Sequence, residues 1–252
     1  MSNNSLPLVS IITPSYNSEE FISQTINSII NQTYSNWELL ITDDCSNDLS
    51  TEIIKSFVKK DNRIKLYTLD YNSGAGVARN NSIKYSNGKY IAFCDSDDQW
   101  LPNKLEKQIA FLKENNLQFS YSSYKVCNEE DEIVGSVICP KEVSFRKMLN
   151  NNYVGCLTAI YDSEKLGKFY MSKIRNRQDW VLWLNILKNS GPAMGLTEPL
   201  AIYRERSSSI SSNKIKQFKF NWNVYRKELG YNSIVSTLLI INFLFHYAAK
   251  KI

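Results

Sequence analysis

The sequence predicts an α/β fold: a mostly parallel sheet flanked by helices, followed by a helical C-terminal tail. Three observations carry this expectation. Short apolar runs near residues 8–12, 37–41, 64–69 and 89–94 alternate with segments whose apolar residues recur at helical spacing. The fourth run lies in Lys89 to Leu101, a stretch that turns abruptly into three carboxylates within four positions, Asp95, Asp97 and Asp98. The last forty residues change character, becoming basic and aromatic and then apolar. Strands alternating with helices at this spacing imply right-handed βαβ units, with the loops after strands one, two and four meeting on one edge of the sheet.

Leu8 to Ile12 reads as a first buried strand, and Thr13-Pro14-Ser15-Tyr16-Asn17 as the turn that ends it. Asn17 or Ser18 is placed to cap a helix with Glu19 and Glu20 in its first turn and Phe21, Ile22, Ile26, Ile29 and Ile30 on its apolar face. Trp37 to Ile41 is a second strand, Asp43 to Asp48 a polar loop, and Ile53, Ile54, Phe57 and Val58 mark a second helix. A third strand spans 64–69. The loop Asn72 to Gly76 then opens a helix carrying Arg79, but it has neither the third glycine of a dinucleotide fingerprint nor a Walker lysine. Beyond Pro102, where a soft boundary falls, the pattern predicts a helix over 103–114 and an antiparallel pair over 119–127 and 133–139. A short helix over 144–149, a strand over 153–161 and a helix over 180–187 closed by Gly191 follow. Ala201 to Arg204 then leads into a Ser-rich loop, 207–212.

At 252 residues and 43% hydrophobic content the chain buries a sizeable core. Its five cysteines are odd in number, scattered and never in C-x-x-C spacing, which points to reduced thiols in a cytosolic protein rather than a disulfide framework or zinc site. The polar N-terminus shows no secretory signal. A single histidine, His246, excludes Ser-His-Asp chemistry and multi-histidine metal sites, so carboxylates must carry acid–base work. Of the formal charge of +5, the tail from Asn213 holds seven basic residues against Glu228, leaving the body at −1. A neutral body argues against a nucleic-acid-binding face and confines contact with an anionic surface to the tail.

Taken together and in order, Ser10 to Asn17, Asp43 to Asp48, Gly74 to Asn80 and Phe93 to Asp98 resemble family 2 glycosyltransferases of the GT-A fold. The resemblance is close over the first 105 or so residues, looser to about Ser212, and absent from the tail. It implies a UDP-sugar donor and a divalent cation, Mn²⁺ or Mg²⁺, bridging the diphosphate and an Asp-x-Asp motif. By position it assigns Pro14, Tyr16 and Asp44 to a nucleobase pocket, Arg79 to the diphosphate or sugar, Asp95 to the ribose or sugar and the metal, and Asp97 to the metal. Asp98 is left to cap the following helix. Arg177-Gln178-Asp179-Trp180 resembles the family's acidic motif, with Asp179 as the base that inversion requires; Trp180 and Trp183 offer an acceptor platform or ordinary core. Arg206 stands where relatives often carry a histidine and is assigned to the diphosphate. The bland alternatives are that Tyr16 packs, Asp44 caps a helix, and Asp179 stabilises a helix start.

These assignments divide the chain into a nucleotide-sugar-binding half (1–102), an acceptor-binding half (103–212) and a basic amphipathic tail (213–252). Residues 234–249 fall short of the ~20 needed to span a bilayer. The expectation is therefore a cytoplasmic enzyme, peripheral at the inner face of the membrane, adding a sugar to a saccharide or lipid-linked saccharide in surface-polysaccharide synthesis. A tail packed on the body, or forming a homodimer contact, is the alternative. A sugar-phosphate nucleotidyltransferase and a non-catalytic nucleotide-sugar-binding subunit remain as other functions.

Overall fold

The computed structural model describes residues 6–174, 176–206 and 214–249, with the side chains of 214–217 and 245–249 outside the description. The Ser-rich segment 207–212 and the His246 side chain therefore lie outside the described residues. The chain begins with β1 (Val9–Ser15), α1 (Ile22–Ile30), β2 (Trp37–Asp43), α2 (Ser50–Val58), β3 (Ile64–Thr68), α3 (Ala75–Tyr85) and β4 (Tyr90–Phe93). These strands lie in the order β3-β2-β1-β4, all parallel. The order reverses between β1 and β4, and such a switch opens a crevice at the strands' carboxyl ends. β1, β2 and β4 are buried at every residue. Their alternate side chains serve two layers: Ile12, Leu40, Ile91 and Phe93 on one face, Ile11, Leu39, Ile41 and Ala92 on the other.

The same sheet continues through β5 (Gln99–Trp100), β6 (Phe119–Cys127), β7 (Ile133–Val137), β8 (Glu142–Val143), β9 (Ile160–Asp162) and β10 (Ala193–Arg204). β9 joins β4 and β6 antiparallel, and β6 runs parallel to β10. Between these strands lie α4 (Lys104–Glu114), α5 (Phe145–Met148), α6 (Ser163–Leu166) and α7 (Gln178–Ser190). Gly191, at φ 76°, closes α7.

Four local expectations need correction. Helix α1 starts at Ile22, so Glu19 and Glu20 precede it. Ser18 stops the chain with its carbonyl, accepting the N–H of Phe21 and Ile22 at 3.0 and 2.9 Å. Glu19 instead accepts the Leu49 N–H at 2.8 Å, ahead of α2. The strand expected over 153–161 is a 3-10 turn, Cys156–Thr158, and only then β9; ahead of the turn, a Cβ on Gly155 would fall 2.9 Å from the Tyr124 ring. β10 reaches back to Ala193; Pro199 hid it in the sequence and sits at a register shift that accommodates its missing donor. Of the two alternatives for Trp180 and Trp183, the acceptor platform falls and core packing holds, since both are buried.

The tail forms α8 (Lys214–Asn223), a π-helical turn (Val224–Glu228) and α9 (Ser233–Ala249). It packs on the body. Tyr225 stacks edge-on with Trp180, centroids 5.7 Å apart, and its hydroxyl donates to the Leu149 carbonyl at 2.6 Å. Asn242 donates to Asn150 at 2.6 Å, and Ser236 and Phe243 are buried, while Ile234, Leu238 and Ile241, on the side of α9 away from those two, stay exposed.

Candidate active site

The acidic loop leaves β4 at Phe93 and folds back on itself, with the Asp98 N–H donating to the Asp95 carbonyl at 3.1 Å. This turn sends its three carboxylates in different directions. Asp95 meets Arg79 of α3, whose Nη2 lies 2.6 and 2.7 Å from its two oxygens. Burial opposes the Arg79 charge, but Asp95, and after it Asp179, favour it, and the guanidinium is held above its ordinary range. Asp97 stays partly open and meets Arg206 at 3.4 Å. Burial and then the Asp95 charge push its carboxyl up, against the pull of Arg206.

Asp98 is buried, and it does not cap α4. Its Oδ1 accepts the Arg204 N–H at 3.1 Å, while Asn103 stands at the α4 cap without a side-chain bond. The physical reason is topological, since β10 returns alongside and its last N–H needs an acceptor. Arg204 itself is 2% exposed and ties four segments together. Nε donates to the Asp97 carbonyl at 3.1 Å, Nη1 to the Asn128 carbonyl at 3.1 Å, and Nη2 to Gln24 and Asp131 at 2.7 and 2.6 Å. The acidic loop is thus fixed from behind by a buried fork of donors.

On the other side of the crevice, the loop after β1 is stitched to the loop after β2. Ser46 accepts the Asn17 N–H at 3.0 Å and Ser50 accepts the Ser18 N–H at 2.7 Å. Pro14 is buried, Tyr16 stands at the rim 47% exposed, and Asp44 is buried. Asp44 is no helix cap: its two oxygens accept the N–H groups of Ser73 and Gly74, each at 2.7 Å, and so hold the loop that opens α3. Gly74, at φ 92°, makes that approach feasible.

The third wall comes from α7. Arg177 has left-handed backbone, φ 66°, and turns the chain into the helix, so that Gln178 packs on Gly76. A Cβ on Gly76 would fall 2.3 to 2.5 Å from the Gln178 amide. Asp179 follows in the first turn and accepts a hydrogen bond from Asn152 Nδ2 at 2.7 Å. Its charge acts on Arg79 and on Cys156, and Asp95 acts on the same two groups. Asp95, Arg79, Cys156 and Asp179 therefore share one electrostatic neighbourhood, although they come from four separate segments. Burial first, and then Asp95, keep the Cys156 thiol well above its ordinary range and so neutral.

The glycosyl transferase family 2 model matches residues 10–183, which include the acidic loop and Asp179. The chain belongs to glycosyltransferase family 2. This transferase is 43% identical over 222 residues to TuaG of Bacillus subtilis (strain 168), provisionally named for teichuronic acid biosynthesis, across 88% of each chain. It is 45% identical over 218 residues to WfgD of Escherichia coli, a UDP-Glc:alpha-D-GlcNAc-diphosphoundecaprenol beta-1,3-glucosyltransferase, across 86% of this chain and 85% of that one. Its fold is that of S. aureus TarS 1-349 crystallised with UDP-GlcNAc, with TM-score 0.72 at 20% identity over 95% of this chain and 72% of that one. The match spans 43% of the longer TarS chain. GT-A architecture, expected from the ordered motifs, is the architecture found.

Sequence reasoning did not single out Arg204, Asn152, Gln178 or Cys156 in the transferase. For Arg204 a signal existed, because an arginine ending the apolar run Ala201-Ile202-Tyr203 must find buried acceptors. Asn152 lies in a run of three asparagines that gives no hint of which one faces a carboxylate.

Proposed function

We propose that this family 2 transferase moves a sugar, with inversion, from a UDP-sugar to a hydroxyl of a lipid-linked saccharide in cell-surface polysaccharide synthesis. The observation that supports the reading is that the Asp179 charge reaches Arg79, the partner of Asp95 in the acidic loop after β4. Asp179 is the base. It takes the acceptor hydroxyl proton as that oxygen bonds to the anomeric carbon, and the bond from that carbon to the diphosphate oxygen breaks, its electron pair leaving with UDP. The relative WfgD is named for a β linkage made from UDP-Glc, the inverted outcome for an α-configured donor.

Pro14, Tyr16 and Asp44 line the nucleobase end. Asp44 retains acceptor capacity for a base N–H, since an ionised carboxylate offers about four lone-pair positions and two are used. Arg79 holds Asp95 toward the ribose or sugar, and Arg206 faces the diphosphate. The donor set suits a divalent cation such as Mn²⁺ or Mg²⁺: Asp97 and Asp95 are hard oxygen donors, and Asp97 is short of positive charge even with Arg206 beside it. Asp97 and Asp95 would hold that ion. Among the described residues no third His, Cys, Asp or Glu joins a metal-holding group, which leaves other positions to diphosphate oxygens and water. When bound, the ion neutralises charge on the departing diphosphate.

The basic tail and the exposed Ile234, Leu238 and Ile241 support peripheral attachment to an anionic membrane at its cytoplasmic face. Among the described residues no helix is long and apolar enough to cross a membrane. Partitioning onto anionic vesicles that persists after deletion of residues 213–252 would overturn this attachment, and a concentration-dependent dimer lost on the same deletion would favour the homodimer alternative.

The functional test is a panel of UDP-sugars with Mn²⁺ or Mg²⁺, reading UDP release by wild type, Asp97→Asn and Asp179→Asn. Release that falls at least hundredfold in both variants supports the assignment. Full turnover by either variant removes that residue's role.

A further inference from the structure

A second concave feature lies away from the acidic loop. A cleft of about 350 Å³ separates the segment that enters α7 from the tail. Lys173, from the segment before α7, and Lys227, from the tail, both line it, and both are exposed. Asn176 and Asn223 add amide groups, one from each of the same two segments, and Ile174 and Phe220 supply apolar surface. Glu228, the lining carboxylate, repels anions and accepts hydroxyl donors.

This cleft is coupled to the base through structure already described. Asn176 precedes Asp179 by three residues, hence within about 11 Å by backbone reach. The tail wall is anchored twice, by Tyr225 on Trp180 and Leu149 and by Asn242 on Asn150, the segment that also carries Asn152. Asn152 in turn holds Asp179. The body wall thus runs into the helix that carries Asp179, and the tail wall rests on Trp180 and on the segment that carries Asn152.

We propose that this cleft binds the diphosphate and first lipid carbons of the acceptor, with Lys173 and Lys227 on the phosphates and Ile174 and Phe220 along the chain. The inference deepens the lipid-linked-acceptor reading and rests on it. Two lysines serve a phosphate as point charges, amides supply directional donors, and a polyprenyl chain needs apolar surface beside them. An uncharged saccharide would need neither lysine, and inorganic pyrophosphate would need no apolar surface. The sugar end of such a molecule extends from the cleft toward Asp179, so the tail takes part in acceptor recognition.

The test uses decyl diphosphate as probe, with full-length protein saturated with UDP so that the donor site is blocked. Intrinsic tryptophan fluorescence reads binding. Decyl diphosphate is expected to bind at least tenfold tighter than decanol or inorganic pyrophosphate, and the double variant Lys173→Gln/Lys227→Gln to bind it at least tenfold more weakly than wild type. Both lysines are exposed, so the variant keeps its fold, and UDP binding measured in parallel stays unchanged in it. Absence of binding, equal binding of decanol, or indifference to the two lysines would overturn the proposal. Pyrophosphate binding as tight as that of decyl diphosphate would overturn its lipid component. Failure of wild type to bind UDP sinks the donor reading instead and leaves the alkyl arm to judge the cleft.

Discussion

One nitrogen of Arg79 serves both oxygens of Asp95, at 2.6 and 2.7 Å, while Arg79 Nε is buried with no partner. The pair couples α3 to the acidic loop, and its members are unequally sheltered, with 11% of the arginine side chain exposed and 30% of the aspartate. Asp95→Asn would leave a buried cation without its counter-charge. Removing one partner of a buried pair costs 3–5 kcal/mol, and the partial exposure of Asp95 brings the expected loss to about 2 kcal/mol. Urea unfolding of the variant measures it, and an unchanged midpoint would contradict the pairing.

Asn152 touches no reacting atom in the proposed reaction; it holds Asp179. Asn152→Ala removes a hydrogen bond to a carboxylate, an interaction of about 1.5 kcal/mol, equivalent to roughly tenfold in rate. Turnover is expected to fall by that factor with the KM for the UDP-sugar unchanged. A change confined to donor KM would show that Asn152 acts elsewhere.

Arg204→Lys keeps the charge but cannot span the Asp97 and Asn128 carbonyls, Gln24 and Asp131 at once. The variant should lose about 3 kcal/mol, as expected when a buried charged network is broken. It should also release UDP at least tenfold more slowly, because the acidic loop loses its backing. Calorimetric unfolding and turnover are measured together, and a drop in one without the other would separate folding from loop positioning.

Lys104 is fully buried beneath the sheet, donating to Gln108 at 2.7 Å with its ammonium 4.5 Å from the Trp100 ring. Burial lowers its pKa from 10.5 to about 7. The group favours its neutral form when folded, so between about pH 7 and 10 the unfolded chain binds the extra proton. Lys104 therefore destabilises most below pH 7, and its penalty shrinks as pH rises, by at most about 1.4 kcal/mol per pH unit. Cys94 and several buried tyrosines titrate in the opposite sense, so the difference between wild type and Lys104→Met is the quantity to follow. The variant's relative stability should decline from pH 7 to pH 9 in urea titrations, and a pH-independent difference would refute the buried-lysine account.

The parallel half of the fold was readable because β1, β2 and β4 are buried on both faces and so appear as unbroken apolar runs. β9 was not, since three residues after a 3-10 turn leave too short a pattern, and β10 was cut by Glu198-Pro199. Carboxylates likewise announce themselves by position, which is why Asp97 and Asp179 stand out as candidates through their resemblance to the family's acidic motifs. What each carboxylate faces is set by distant chain: Asp98 serves β10, Asp44 the loop before α3, and Asp95 an arginine in α3. Arg204 finds partners near residues 24, 97, 128 and 131, a set that no local pattern contains.

The bonding of β4 has a consequence for synthesis. Tyr90 pairs with Val9 on one side and with Asp162 on the other. As the chain leaves the ribosome, the first four strands can associate while β9 has yet to be made, leaving Ile91 and Phe93 on an open edge. An unpaired apolar edge is a template for wrong partners, and pairings this distant in sequence close slowly. The acidic loop springs from that same edge, so it acquires its final direction only when the second half of the chain has emerged.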